Sequence, residues 1–257
     1  MSNQTLLEVL FFVFGAIWGS FSNVIIVRLP KDESIISPRS HCPQCKKTIP
    51  WFHNIPIVSW IFLRGKCAFC EKRISVRYPI VEIIMGLSFL YLFKAYGLSF
   101  SFFEYSVFAF GVITASFIDI DHMILPDRFT LSGIVIGLVG ALINPERMFM
   151  DALIGVLIGG GFLYAIAYAY FIIRKVDGMG GGDIKLLGWI GAICGWQSIP
   201  FVVFASSMLG LLFGIFYMIR SQEGLKTGLP FGPYLSLAAL LYLMFDLESV
   251  MNLFIPM

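Results

Sequence analysis

Apolar residues run along this chain in long stretches at about residues 6–27, 79–97, 101–118, 129–144, 150–173, 184–197, 199–219 and 230–255. Most approach the ~20 residues with which a helix crosses the hydrocarbon of a bilayer, and none alternates with period 2. Backbone amides in hydrocarbon must be paired within their own segment or in a closed barrel, so the pattern predicts eight helices, the sixth of them short. One sizeable polar stretch, residues 28–78, interrupts the series. The expected fold is an all-α polytopic membrane protein: a first transmembrane helix at 1–27, a small loop domain at 28–78 and a seven-helix membrane domain at 79–257. No Lys or Arg precedes Arg28 and no small-residue cleavage site follows the first apolar run, so that run reads as a retained span. Gly15 and Gly19 have the small-xxx-small spacing that lets helices approach closely. No internal repeat and no low-complexity tract stands out.

Composition agrees with a lipid solvent: 58% of the 257 residues are hydrophobic and 13% charged, with a mean hydropathy of +0.85. The net charge of +2 says little; its distribution says more. Residues 28–78 hold Arg28, Lys31, Arg39, Lys46, Lys47, Arg64, Lys66, Lys72, Arg73 and Arg77, which is 10 of the 18 basic residues. Cytoplasmic loops retain Lys and Arg, so this stretch is expected inside and both chain ends outside. Alternation then puts Arg128, Arg174, Lys175, Lys185, Arg220 and Lys226 inside and leaves only Lys94 and Arg147 outside. A nucleic-acid partner is not expected from this pattern.

A stretch as short as 28–78 cannot build a large core and needs a staple. Cys42, Cys45, Cys67 and Cys70 form two C-x2-C pairs separated by 21 residues, the layout of a zinc ribbon. Four thiolates close a tetrahedron, so the expected zinc is structural and not hydrolytic. His41 and His53 are nearby but surplus as ligands. Cys194, in an apolar run, reads as a packing residue.

Two acidic clusters fall at predicted cytoplasmic ends of spans: Asp119, Asp121 and Asp127 in FIDIDHMILPD, and Asp183 in GMGGGDIK. Ionisable groups at membrane depth are costly and so are functional candidates. Two carboxylates brought together cannot both ionise readily, and such a pair can activate water while its protonated member bonds a peptide carbonyl, as in aspartic proteases. Gly178, Gly180, Gly181 and Gly182 permit backbone conformations closed to other residues and are expected to leave room for an extended substrate beside Asp183. The run is neither a phosphate loop nor a dinucleotide fingerprint. Ser20 and Asn23 in the first helix and Glu82 in the second are polar groups near the same boundary, expected to bond across helices. Trp51, Trp60 and Tyr78 are expected at headgroup level.

FIDIDHMILPD and GMGGGDIK, preceded by GSFSNVIIVRLP, CPQC, IPIVSW, RGKCAFC and ISVRYPIVE, resemble the type IV prepilin peptidases over about Gly19 to Lys185. The G-x-G-D signature also occurs in preflagellin peptidases and presenilin. The resemblance implies an aspartic endopeptidase of the bacterial inner membrane that cuts the leader from type IV prepilins or type II secretion pseudopilins at the cytoplasmic face. It further implies N-methylation of the new N-terminal residue with S-adenosylmethionine. By the family's motif Asp119 and Asp183 are the catalytic pair, with Asp121, Asp127, Gly180, Gly182 and Lys185 in support, and Gly65 is associated with methylation. Two other classes fit the acidic clusters less well. A proton- or cation-coupled transporter would carry its polar groups near the midplane of matched halves, and an inactive zinc-ribbon scaffold would leave both acidic clusters unexplained.

Overall fold

The computed structural model of the chain describes residues 3–176, 180–221 and 229–245, with the backbone alone at 217–221. Gly178 and Lys226 and the end of the last predicted span lie outside the described residues, as does the side chain of Arg220. The described helices are α1 (Asn3–Arg28), α2 (Val58–Phe62), α3 (Arg77–Tyr96), α4 (Phe100–His122), α5 (Asp127–Ile143), α6 (Phe149–Arg174), α7 (Gly181–Cys194), α8 (Ser198–Ser221) and α9 (Gly232–Met244). Apart from the one-turn helix α2, each falls on a predicted apolar run. Among the described residues there is no strand, only two isolated bridges, His41 with Thr48 and Lys66 with Arg73. Among the described residues five helices, α1, α3, α4, α6 and α8, are long and apolar enough to cross a membrane. The chain is a multi-pass membrane protein. Large apolar side chains stand exposed along α6 and α8, among them Leu157, Tyr164, Phe204 and Leu211, where lipid is the matching solvent.

The chain forms two compact units, one up to Thr114 and the other from Ala115. In the first, α1 and α3 pack backbone to backbone. A Cβ at Gly15 would stand 2.7 Å from the Met85 carbonyl oxygen, and one at Gly19 2.7 Å from the Glu82 Cα, so only glycine fits at either place. The expected small-residue contact is therefore real and serves packing. Phe11 stacks on Phe93 at 4.1 Å between centroids, and the Ser22 and Thr114 hydroxyls bond at 2.8 Å. Polar atoms on helices buried among helices are paired in this way because lipid offers no substitute.

In the second unit α7 is the central element. Its 14 residues rise only about 21 Å, short for a span, but its Leu186, Leu187 and Ile190 are fully buried by protein. Glycines make this enclosure possible. Gly155 of α6 meets Gly191 of α7 through bare backbone, Gly159 faces the Leu187 carbonyl, and Gly133 of α5 lies against the Trp189 ring. Asp183 sits in the first turn of this central helix.

Between α1 and α3 the loop is stapled by two equivalent knuckles. Cys42 N–H donates to Lys47 O at 3.0 Å, Lys46 N–H to Cys42 O at 2.9 Å and Ile49 N–H to Ser40 O at 2.8 Å. Twenty-five positions on, Cys67 N–H donates to Lys72 O, Glu71 N–H to Cys67 O and Ile74 N–H to Gly65 O at 2.9, 2.9 and 2.7 Å. Lys46 and Glu71 both take the left-handed conformation, at φ 60° and 56°. The expectation of no internal repeat thus needs correction: SHCPQCKKTI and GKCAFCEKRI are one fold used twice. The two cysteines, Lys47 with Lys72 and Ile49 with Ile74 carry the match, too little for a repeat to register in sequence.

Candidate functional site

Asp119 lies one turn from the end of α4 and is 5% exposed. After His122 the chain leaves the helix through Met123, whose φ of 55° turns it toward Leu125, Pro126 and the start of α5. Asp119 Oδ2 accepts the Gly232 N–H at 3.1 Å from the first turn of α9. A Cβ on Gly232 would stand 2.8 Å from that oxygen, so only glycine lets the amide approach. Asp183 enters the same site from α7, close enough for its carboxylate and that of Asp119 to interact electrostatically. Its Oδ1 is buried with no hydrogen-bond partner. Leu125 fills the space behind the pair: a Cβ on Gly182 would stand 2.8 Å from Leu125 Cβ, and one on Gly232 3.1 Å from Leu125 Cδ2.

The remaining predicted residues separate by role. Asp127 opens α5 and forms a salt bridge of 2.6 Å with Lys185 of α7, which ties the two acidic motifs together. Asp121 is exposed. The conformational freedom that the glycine run permits is not used at its described positions. Gly180 has φ −69° and ψ 136°, an ordinary extended conformation, and Gly181 and Gly182 are already helical, so no special backbone geometry is used there. Their smallness is used instead. Among the described residues a Cβ at Gly181 would meet nothing and one at Gly180 only Asp183 Oδ2 at 3.8 Å, so none of them crowds the carboxylate from that side. Sequence reasoning missed Gly232 and Leu125. The Phe-Gly-Pro triplet at the head of the last apolar run was the available signal for the first, whereas an apolar residue between two acidic ones gives no sign of the second.

The four loop cysteines converge as expected. Their sulfurs lie within 4.8 Å of one another, with Cys42 and Cys70 Sγ 3.9 Å apart, and all are free of disulfides. Four sulfurs at Zn–S distance in a tetrahedron stand about 3.8 Å apart, so the cluster fits zinc. The Phe69 amide, and then that of Cys70, hold the Cys67 thiol down to about 7. Cys70 is also lowered by the Lys72 amide, but burial and the neighbouring thiols outweigh this and push it up to about 11. Thiols this crowded cannot all ionise without a cation among them. Gly65, at φ 67°, leads into the second knuckle, and a Cβ there would stand 2.8 Å from the Trp60 ring.

Residues 13–96 match the family described as the bacterial peptidase A24 N-terminal domain, and residues 106–215 match the type IV leader peptidase family. A prepilin leader peptidase/N-methyltransferase of Stutzerimonas stutzeri is 36% identical over 253 residues, covering 88% of this chain and 86% of the relative. One of Aeromonas salmonicida is 34% identical over 254 residues, covering 89% and 87%. A type 4 prepilin-like proteins leader peptide-processing enzyme of Escherichia coli O78:H11 is 36% identical over 253 residues, covering 91% and 92%. No solved structure matches the chain.

Proposed function

The chain belongs to the type IV leader peptidase family, and from that premise we propose that it cuts the leader from type IV prepilins or secretion pseudopilins and N-methylates the residue so exposed. The observation that carries the cleavage reading is that Asp119 and the stretch that bears Asp183, from two separate motifs, border one site: Gly232 bonds Asp119, and Leu125 lies against both Gly232 and Gly182. With one proton between the two carboxylates, the ionised member takes a proton from water as its oxygen attacks the scissile carbonyl. The protonated member gives its proton to the carbonyl oxygen. Collapse of the tetrahedral species then breaks the C–N bond: the leaving nitrogen takes the proton held by the pair, and a hydroxyl of the diol gives its proton to the other carboxylate as the new carboxyl forms, so the pair again holds one proton. The Gly232 amide fixes the angle of Asp119, and the space over Gly180 and Gly181 accommodates an extended leader.

Cys42, Cys45, Cys67 and Cys70 would hold one zinc, which supplies a cross-link for residues 28–78 and, being closed by four thiolates, no open position for water. Methyl transfer draws its methyl group from S-adenosylmethionine. Gly65 serves it by placing Trp60, which a side chain at 65 would displace. The excess of Lys and Arg in 28–78 supports an inner-membrane protein whose cleavage site and loop face the cytoplasm. The relatives are named as processing enzymes rather than transporters. Incubating the purified chain with a prepilin, with and without S-adenosylmethionine, and reading product masses tests both activities. An uncut prepilin would overturn the peptidase reading, and a cut but never methylated product would overturn the second activity.

A further inference from the structure

Residues 51–63, WFHNIPIVSWIFL, hold no Asp, Glu, Lys or Arg, inside a loop that is otherwise rich in charge. They fold into one small body. The turn Trp51–His53 is followed by α2, and the Ser59 hydroxyl ties the two together: it accepts the Ile55 N–H and donates to the Phe52 carbonyl, both at 3.0 Å. Val58, Ile61 and Phe62 stand at i, i+3 and i+4 and so share a face of α2; all three are exposed, Phe62 at 83%. Trp51, 72% exposed, and Phe52 pack edge to face at 5.8 Å between centroids. The opposite face of α2 is turned into the loop. Ser59 is buried there, and Trp60 Nε1 donates to Ile74 O at 3.3 Å. An apolar face outward and a hydroxyl inward is the reverse of what water favours.

The height of this body is set by α3. Ile57, which precedes α2, donates its N–H to Glu82 Oε2 at 2.7 Å. Glu82 is the sixth residue of α3, a rise of about 7.5 Å past the first, and α3 is long and apolar enough to cross a membrane. The headgroup layer on each side of the hydrocarbon is roughly 5–7 Å deep. An amide bonded to Glu82 therefore lies at the level of that layer and not above it. Ile57 is strained in this place. At φ 63° and ψ −52°, with Val58 N–H donating to Pro56 O at 2.6 Å, it is the centre of a γ-turn of the rare hand, which β-branched residues avoid and which persists only where the surroundings hold it.

We infer that residues 51–62 are a bilayer-inserted foot of the cysteine loop. Trp51, Phe52, Val58, Ile61 and Phe62 enter the leaflet on the loop's own side of the membrane, and the exposed Arg64 and Lys66 that follow reach its phosphates. Three observations select lipid as the occupant of this face: the stretch is free of charge, its height is fixed by Glu82, and Ile80, Ile83, Ile84 and Leu87 of α3 stand exposed from the same level onward, where lipid is the solvent. The foot also gives the loop a fixed pose. Lipid holds one face of α2, and Trp60 on the other carries that constraint to Gly65 and the second knuckle. Of the aromatic residues expected at headgroup level, Trp51 thus belongs to the inserted face, whereas Trp60 is turned inward.

The test uses the full chain in vesicles of phosphatidylethanolamine and phosphatidylglycerol. Phe62→p-benzoylphenylalanine keeps an aromatic ring at the centre of the face, and photolysis is expected to give phospholipid adducts by mass, as the same replacement does at the exposed Phe204 of α8. At Gln44, exposed in the first knuckle, such adducts are expected only at background level. Zinc content checks the fold of each variant. On the unaltered chain in the same vesicles, oxidation of Trp51 by hydroxyl radicals is expected to run several-fold slower than that of tryptophan free in the buffer, although protein alone leaves this ring largely uncovered. This readout does not depend on any variant's folding. Adducts at 62 no more frequent than at 44, adducts with a second copy or another protein in place of lipid, or oxidation of Trp51 at the rate of the free amino acid would each overturn the foot.

Discussion

At the residue scale the two aspartates are held differently, and only Asp119 has an anchor that can be tested separately from its charge. Asp119 is anchored by the Gly232 amide, whereas Asp183 Oδ1 has no bonded partner. Asn at either position keeps shape and volume but removes the titrating group. Leader cleavage by Asp119→Asn or Asp183→Asn is expected to fall by at least about a hundredfold, with zinc content unchanged. Activity near wild type in either variant, by product mass, would remove the pair from the mechanism. Gly232→Ala tests the anchor: its methyl would stand 2.8 Å from Asp119 Oδ2. The carboxylate must turn, so kcat is expected to drop on the order of tenfold to a hundredfold with KM little changed. Asp127 and Lys185 are 57% and 37% exposed, and such pairs contribute about 0–1 kcal/mol. Asp127→Asn is therefore expected to cost only a few-fold in cleavage. The aspartates were legible in sequence because a carboxylate at a span's end is costly wherever the chain places it. Gly232 was not, because its importance lies in one amide meeting an oxygen 113 positions away.

At the element scale α7 and the cysteine knuckles illustrate opposite limits of sequence reading. The short sixth apolar run was read as a span, and hydropathy gave its place correctly, but hydropathy cannot distinguish a face turned to lipid from one turned to other helices. What encloses α7 is small residues on its neighbours, Gly133, Gly155 and Gly159. Gly191→Ala would press a methyl against the Gly155 carbonyl, backbone that cannot yield by a rotamer change. A loss of about 1–3 kcal/mol is expected, seen as a lowered melting temperature in detergent, and an unchanged transition would mean that the helices can separate cheaply. The knuckles, by contrast, were readable from spacing alone, since C-x2-C leaves the chain little choice of path. About one zinc per chain is expected by elemental analysis. Replacing Cys42 and Cys45 by Ser should abolish it, and acidification should release it because protons compete for the thiolates. Zinc retained by the double variant would remove the assignment.

At the scale of the whole molecule the orientation rests on a count of charges, and the structure bears on the two residues that disagree with it. Lys94 and Arg147 are the basic residues expected outside. Lys94 faces Glu8 at 3.7 Å, and the Arg147 guanidinium donates to the Ala192 carbonyl. Each is thus partnered by its own unit. The charges that bias orientation are those near the membrane ends in short loops, and Arg39 and its neighbours in 28–78 are of this kind, with Arg39 exposed. The exceptions therefore weigh less than their number. A reporter inserted after Arg39 is expected to be active only on the cytoplasmic side, and one inserted after Leu98, in the exposed turn between α3 and α4, only on the opposite side. The two insertions differ by one crossing, α3, whose 20 residues suffice to span. If both reporters were active on one side, α3 would not cross. The alternation expected to put the loop, Asp119 and Asp183 on one side would then fail, although the site that Asp119 and Asp183 border within their own unit would stand.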